Sequence, residues 1–172
     1  MLLTELNRGK CKTYLVGCEQ TRNAALIDPL RDHMDRYLAL LAYHGFRLAT
    51  VIDTHTHADH RTASFDLHEL TGAEVVMHRE APAPRVGRHV ADGEKLSVGA
   101  LTLEVLATPG HTPEGISILV HDMDADPERP HAVLTGDTLF IGDVGRPDLM
   151  ASLGLSAEEL ARMLYDSLHD KL

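Results

Sequence analysis

Short apolar runs alternate along the chain with segments whose apolar positions recur at helical spacing, and most end at a glycine or proline. TYLVGC (13–18) and AALIDP (24–29) are β-prone runs that predict a hairpin or two adjacent strands. LRDHMDRYLALLAYHG (30–45) puts Met34, Tyr37, Leu38 and Leu41 at the i, i+3, i+4, i+7 spacing that gathers side chains on one helix face, and Gly45 closes it. LATVIDTH (48–55) reads as a buried strand running straight into a histidine cluster. FDLHELTG (65–72) predicts a short helix stopped by Gly72, EVVMH (74–78) a strand, and KLSVGALTLEVLATPGH (95–111) a β-turn-β unit pivoting on Gly99. GISILVHD (115–122) and HAVLTGDTLF (131–140) add two strands, joined by DMDADPERPH (122–131), whose acids and prolines predict an exposed loop. In SAEELARMLYDSLHDKL (156–172), Ser156 and Glu159 form a capping box, and Leu160, Met163, Leu164 and Leu168 make the apolar stripe of a helix.

Strands and helices therefore come in a mixed order, with too little βαβ alternation for a simple doubly wound sheet; two sheets sandwiched between helices fit better. The 172 residues suffice for one large core, so a single domain over 1–172 is expected. A hydrophobic content of 44% with 24% charged residues is that of a globular protein. The formal charge of −10 repels a phosphate backbone, and the 16 Lys and Arg form no basic run, which argues against a nucleic-acid partner. MLLTELNRGK carries Glu5 and no apolar stretch suited to a signal peptide, and runs such as LALLA (38–42) fall far short of a membrane span. The expected location is the cytoplasm, with no membrane partner. Cys11 and Cys18 lack the spacing of a disulfide framework or a zinc knuckle, so both are expected to be reduced, buried thiols.

Three β-prone runs stop abruptly at Gly, Pro or Thr with a metal-type side chain just beyond: VIDTHTHADH (51–60), EVLATPGHT (104–112) and AVLTGDT (132–138). Loops at strand ends are where rigid scaffolds present functional groups. In H-x-H-x-D-H, His55 and His57 stand at i and i+2, a relation that lets a turning backbone aim both imidazoles at one point, and Asp59 and His60 follow on the turn. His111 follows the Pro109-Gly110 bend, and Asp137 follows Gly136, which permits close backbone approach. Burying these groups without a partner would cost several kcal/mol each, of order ~2–7 for a polar group. That is why a metal site is the better explanation. The isolated histidines, His33, His44, His68, His78, His89, His121, His131 and His169, read instead as surface or packing residues.

THTHADH, TPGHTPE, LTGDTLF and GDVGRPDL, in that order, resemble the metallo-β-lactamase superfamily over nearly the whole chain. With LYDSLHDKL, the last two most resemble the branch containing persulfide dioxygenases and metallo-β-lactamase–rhodanese fusions. The resemblance implies an α/β fold, the four-layered αβ/βα metallo-β-lactamase sandwich, with two mixed β-sheets flanked by helices and the metal at the sheet edges. It also implies that His55, His111 and Asp137 hold one Fe(II) per chain, with His57, Asp59 and His60 behind them or on a second metal. A 2-His-1-carboxylate set with open positions suits non-haem iron that must accept both a substrate and O₂. The implied activity is oxidation of a small-molecule thiol persulfide by O₂ to sulfite and free thiol.

The same residues also suit a zinc-dependent thiolester hydrolase of glyoxalase II type, with one or two Zn(II). His57 would be a third nitrogen ligand, and Asp59 with His60 would hold the second ion and help activate water. A third reading is a non-catalytic metal-binding remnant or interaction module. Dinuclear relatives continue past the last helix into a strand and loop bearing another ligand His; its lack here favours one metal. No rhodanese domain is expected, since Cys18-Glu19-Gln20-Thr21-Arg22 lies in an early hairpin and reads as structural, so a rhodanese-type sulfurtransferase would be a separate partner. Incomplete β-edges favour a homodimer. Arg146, in GR-x-D, is expected either to make a surface ion pair or to support the Asp137 loop.

Overall fold

The computed structural model describes residues 1–7, 11–149 and 154–172. Its larger sheet runs β1 (Leu2–Glu5), β2 (Tyr14–Gly17), β3 (Asn23–Ile27), β4 (Arg47–Ile52), β5 (Glu74–His78) and β6 (Arg88–Val90) in spatial as well as chain order. β1, β2 and β3 pair antiparallel, and β3 through β6 pair parallel. The two runs expected as neighbours do pair, with Leu15 opposite Leu26. The continuous apolar stretch of β4 follows from its place: an inner parallel strand covered on both faces, with Val51 and Ile52 fully buried.

The smaller sheet is antiparallel throughout, in the order β10 (Ala132–Leu134), β9 (Ile116–Asp122), β8 (Leu101–Ala107), β7 (Lys95–Val98). Alternate residues Leu101, Leu103 and Val105 of β8 face inward, matching the period-2 pattern of a strand with one covered face. They meet Val16, Ala25, Ile27, Ile52 and Val76 of the larger sheet in an inter-sheet core. On its opposite face the larger sheet is covered by α1 (Met34–His44) and α2 (Ser64–Thr71), through Tyr37, Leu41 and Leu67. Gly45 and Gly72 end these helices in the left-handed conformation, as a C-terminal glycine does at little steric cost.

The last helix, α3 (Ala157–Asp166), continues as a π-helical turn over Ser167–Lys171. The Ser156–Glu159 capping box is present, and Leu160 and Leu164 are buried. Met163 is 40% exposed, so the buried stripe is narrower than expected. α3 docks against the loop after β8. The Ser167 hydroxyl donates to the Pro109 carbonyl at 2.7 Å, and a side chain on Gly110 would lie 2.4 Å from Leu164 Cβ. HAVLTGDTLF divides: β10 stops at Leu134, and Leu139–Phe140 pairs with Asp143–Val144 as a separate hairpin, β11 and β12. Cys18 is buried, its sulfur accepting from the Ala100 amide, while Cys11 is half-buried. Among the described residues no helix is long and apolar enough to cross a membrane.

Candidate metal centre

The carboxyl ends of β3 and β4 and the loops after β8 and β10 meet at one edge of the sandwich. An Ile116 amide to Thr54 carbonyl bond of 2.9 Å ties the two sheets together there. In open parallel sheets, the carboxyl ends of strands are where ligand-binding loops gather. Donor atoms of His55, His111 and Asp137 lie within 4.8 Å of one another. Asp137 Oδ2 stands 4.0 Å from His55 Nε2 and 3.6 Å from His111 Nε2. The His55 and His111 rings are perpendicular, at 5.1 Å between centroids.

Both imidazoles are held by their other nitrogen. His111 Nδ1–H donates to the Arg146 carbonyl at 3.1 Å. The Thr54 hydroxyl donates to Asp28 Oδ2 at 2.8 Å, so it accepts from His55 Nδ1–H at 3.0 Å. Each ring therefore turns an Nε2 lone pair toward Asp137, the tautomer that ligates a metal. Burial, with the positive His57 alongside, pushes His55 down to about 3 and keeps it neutral. Burial raises Asp137 above the usual carboxylate value against the pull of His111 and His57, so a cation at this carboxylate would be favoured. Two imidazole nitrogens and one carboxylate, each ring held by its other nitrogen, fit a divalent transition metal.

Glycines permit the convergence. Gly136 has φ +50° and would put a Cβ 2.6 Å from Thr54 Oγ1; a Cβ on Gly145 would lie 1.8 Å from the Asp137 carbonyl oxygen and 2.9 Å from His111 Cβ. Gly145 thus brings the Arg146 carbonyl under His111.

The other residues of the H-x-H-x-D-H segment go elsewhere. His57 Nε2–H donates to Asp28 Oδ1 at 3.1 Å, and His57 forms a second cluster with Asp28 and Asp53. Asp28 adopts φ 52°, a conformation disfavoured for a non-glycine residue, and there also accepts from the Thr54 amide at 2.7 Å. Burial opposes ionisation of Asp28, but the charge and hydrogen bond of His57 hold it below its usual value. Burial disfavours the imidazolium of His57 as well; Asp28 and then Asp53 overcome this and raise it to about 9. Burial lifts Asp53 to about 6, and its Oδ1 accepts from the hydroxyls of Thr62 and Ser64, each at 2.8 Å. Asp59 and His60 gather with Cys11 in a third cluster.

Arg146 makes the surface ion pair that was one of its two expected roles. Its guanidinium turns outward to Asp148, with two bonds of 2.7 Å, and its main-chain carbonyl is the group that holds His111. The isolated histidines join no ligand cluster among the described residues. The sequence reading passed over Asp28, Asp53, Thr54 and Glu114. Glu114 is buried and its Oε1 accepts from the Thr56 amide at 3.0 Å, linking the two histidine-bearing loops. A signal existed for the aspartates: Leu-Ile-Asp and Val-Ile-Asp each place an acid immediately after a buried run.

A sandwich of this topology with histidines and aspartates from loops at one sheet edge defines a class of metalloprotein. Residues 6–171 match the metallo-β-lactamase superfamily, and the chain belongs to it. Among its relatives, the human protein "Persulfide dioxygenase ETHE1, mitochondrial" is 35% identical over 162 residues, covering 93% of this chain and 58% of that protein. A hydroxyacylglutathione hydrolase of Polaromonas sp. is 36% identical over 162 residues, covering 90% of this chain and 59% of that protein. The chain thus spans under two thirds of the length of these relatives. The crystal structure of ETHE1 from Myxococcus xanthus matches with a TM-score of 0.83 at 40% identity, covering 100% of this chain and 70% of that one. A metallo-beta-lactamase from Staphylococcus aureus subsp. aureus COL matches with a TM-score of 0.89 at 30% identity, covering 98% of this chain and 51% of that one.

Proposed function

We propose that the protein is a cytoplasmic, iron-dependent persulfide dioxygenase, with one Fe(II) held by His55, His111 and Asp137. The observation that carries this reading is the orientation of His57. Its Nε2–H donates to Asp28 at 3.1 Å and it groups with Asp28 and Asp53, whereas the donor atoms gathered within 4.8 Å in the first cluster are those of His55, His111 and Asp137, two histidines and one carboxylate. Likeness to persulfide dioxygenases over 93% of the chain supports the same conclusion. Bound there, Fe(II) would supply open coordination positions and the redox chemistry needed to use O₂. The balanced reaction is R–S–SH + O₂ + H₂O → R–SH + SO₃²⁻ + 2 H⁺, in which the outer sulfur is oxidised and the S–S bond breaks.

The chain's own residues do the rest. Thr54 and the Arg146 carbonyl fix the two imidazoles before any ligand arrives, which removes the cost of ordering them. His57, cationic between Asp28 and Asp53, lies 4.1 Å ring to ring from His55 and places a fixed positive charge where it favours an anionic persulfide. The Asp137 side chain is 42% exposed, so the centre opens to solvent on that side and substrate can approach there.

A zinc-dependent thiolester hydrolase is the second reading, supported by the likeness to a hydroxyacylglutathione hydrolase. Two variants separate the readings. His55→Ala abolishes metal binding under both. His57→Ala leaves a mononuclear iron site loaded and costs a dizinc site a ligand. Metal content of the two purified variants, by elemental analysis, is the test, and loss of the first ion in His57→Ala would favour the hydrolase.

A further inference from the structure

The turns that carry His111 and Asp137 leave the ends of β8 and β10, which lie on either side of β9. Three hydroxyls cross that gap, those of Thr108, Ser117 and Thr138, and all three residues are buried. Ser117, on β9, donates to the Thr135 carbonyl at 3.5 Å, so it accepts from the Thr108 hydroxyl at 2.9 Å, which in turn accepts from the Thr138 hydroxyl at 3.1 Å. Thr138 also reaches the Thr108 carbonyl at 3.4 Å. Thr108 stands three residues before His111, and Thr138 directly follows Asp137, with Thr135 opening the same turn. The Thr108 amide bonds to the Gly115 carbonyl at 2.8 Å and the Thr138 amide to the Thr135 carbonyl at 3.0 Å, which are local ties; the hydroxyls add a bond from one turn to the other. Valine has the shape of threonine with no hydroxyl to satisfy, and a buried hydroxyl gives only a modest net gain in stability even when bonded. What Thr and Ser add at these positions is direction.

We propose that Thr138, with Thr108 and Ser117, is a positioning residue that sets the Asp137 carboxylate against the His111 imidazole, 3.6 Å between Oδ2 and Nε2, and so fixes the grip of this pair on a metal ion. The inference rests on His111 and Asp137 being ligands, and it holds equally for iron and for zinc. Ser117 is the shared anchor: through it, a side chain of the central strand β9 holds both turns at once.

Co²⁺ serves as the probe, titrated into the metal-free full chain while its visible ligand-field absorption is recorded. The part of that absorption lost in His55→Ala belongs to this centre. Thr138→Val keeps the side-chain volume and leaves Thr108 still donating to Ser117, so the melting temperature of the metal-free protein is expected to stay near that of the wild type. Its affinity for Co²⁺ is expected to fall by about 10–100-fold, with a changed absorption spectrum. Thr138→Ser, which keeps the hydroxyl, is expected to recover both affinity and spectrum. Ser117→Ala removes the shared anchor and is expected to show the same loss as Thr138→Val. Wild-type affinity and spectrum in Thr138→Val, or an equal loss in Thr138→Ser, would overturn the proposal, as would failure of both Thr138→Val and Ser117→Ala to fold, since the hydroxyls would then serve the fold. A wild type that binds no Co²⁺ would overturn the ligand reading and this proposal together.

Discussion

His57 is two residues from His55, and the two rings touch, yet their environments drive them to opposite protonation states. The positive charge of one helps to keep the other neutral and able to ligate. The cost of this arrangement is pH-dependent. In the metal-free protein His57 is raised from 6.5 to about 9, so its contribution to stability is fully present below pH 6.5 and is lost as the pH climbs through about 9. The size is on the order of 3 kcal/mol for a shift of that extent. Against burial, hydrogen bonds from Thr21 and Ala100 lower Cys18 to about 7, which acts in the opposite sense over much of the same range. The comparison must therefore be with His57→Gln. Denaturant unfolding at several pH values should show the wild-type advantage over this variant shrinking between pH 6.5 and 9. A constant difference would mean that His57 is not held cationic. The gathering of His55, His111 and Asp137 was legible because each follows a strand end. The orientation of His57 was not, because it depends on Asp28, far away in the chain and held in an unusual backbone conformation.

Strand ends and the loops beyond them carry the centre. The long helices and inner strands follow from local pattern, and the Ser156–Glu159 cap could be read directly. β1, β6 and the β11–β12 hairpin could not, because they are short edge or surface pieces with little alternation and are specified by their pairing partners. HAVLTGDTLF looked like one strand; Gly136, at φ +50° against Thr54, breaks it, and the break is what delivers Asp137. Met163 looked like part of a buried stripe but lies beyond the width that α3 covers. Between loops, Glu114 acts as a strut under the Thr56 amide. Glu114→Ala should cost about 1–3 kcal/mol by leaving that donor unpaired, while Glu114→Gln, which keeps an acceptor oxygen, should recover most of it. Thermal unfolding of both variants checks this, and equal losses would show that the hydrogen bond does not matter.

At the scale of the molecule, the larger sheet supplies His55 and its Asp28–Thr54 support, and the smaller sheet supplies His111 and Asp137. A metal at their meeting point therefore joins the two halves, and its binding energy adds to the stability of the whole fold. An ion at roughly 100 times its dissociation constant should add about 2.7 kcal/mol, raising the melting temperature by several degrees. A chelator should reverse the gain, as measured by calorimetry; an unchanged melting temperature would place the ion at the periphery. The most direct measurement is oxygen uptake by the anaerobically purified, iron-loaded full chain given glutathione persulfide, with sulfite assayed in parallel. The account predicts that oxygen is consumed in step with sulfite formed, and that both cease in His55→Ala. Release of thiol from S-lactoylglutathione by a zinc-loaded protein that consumes no oxygen with the persulfide would contradict it.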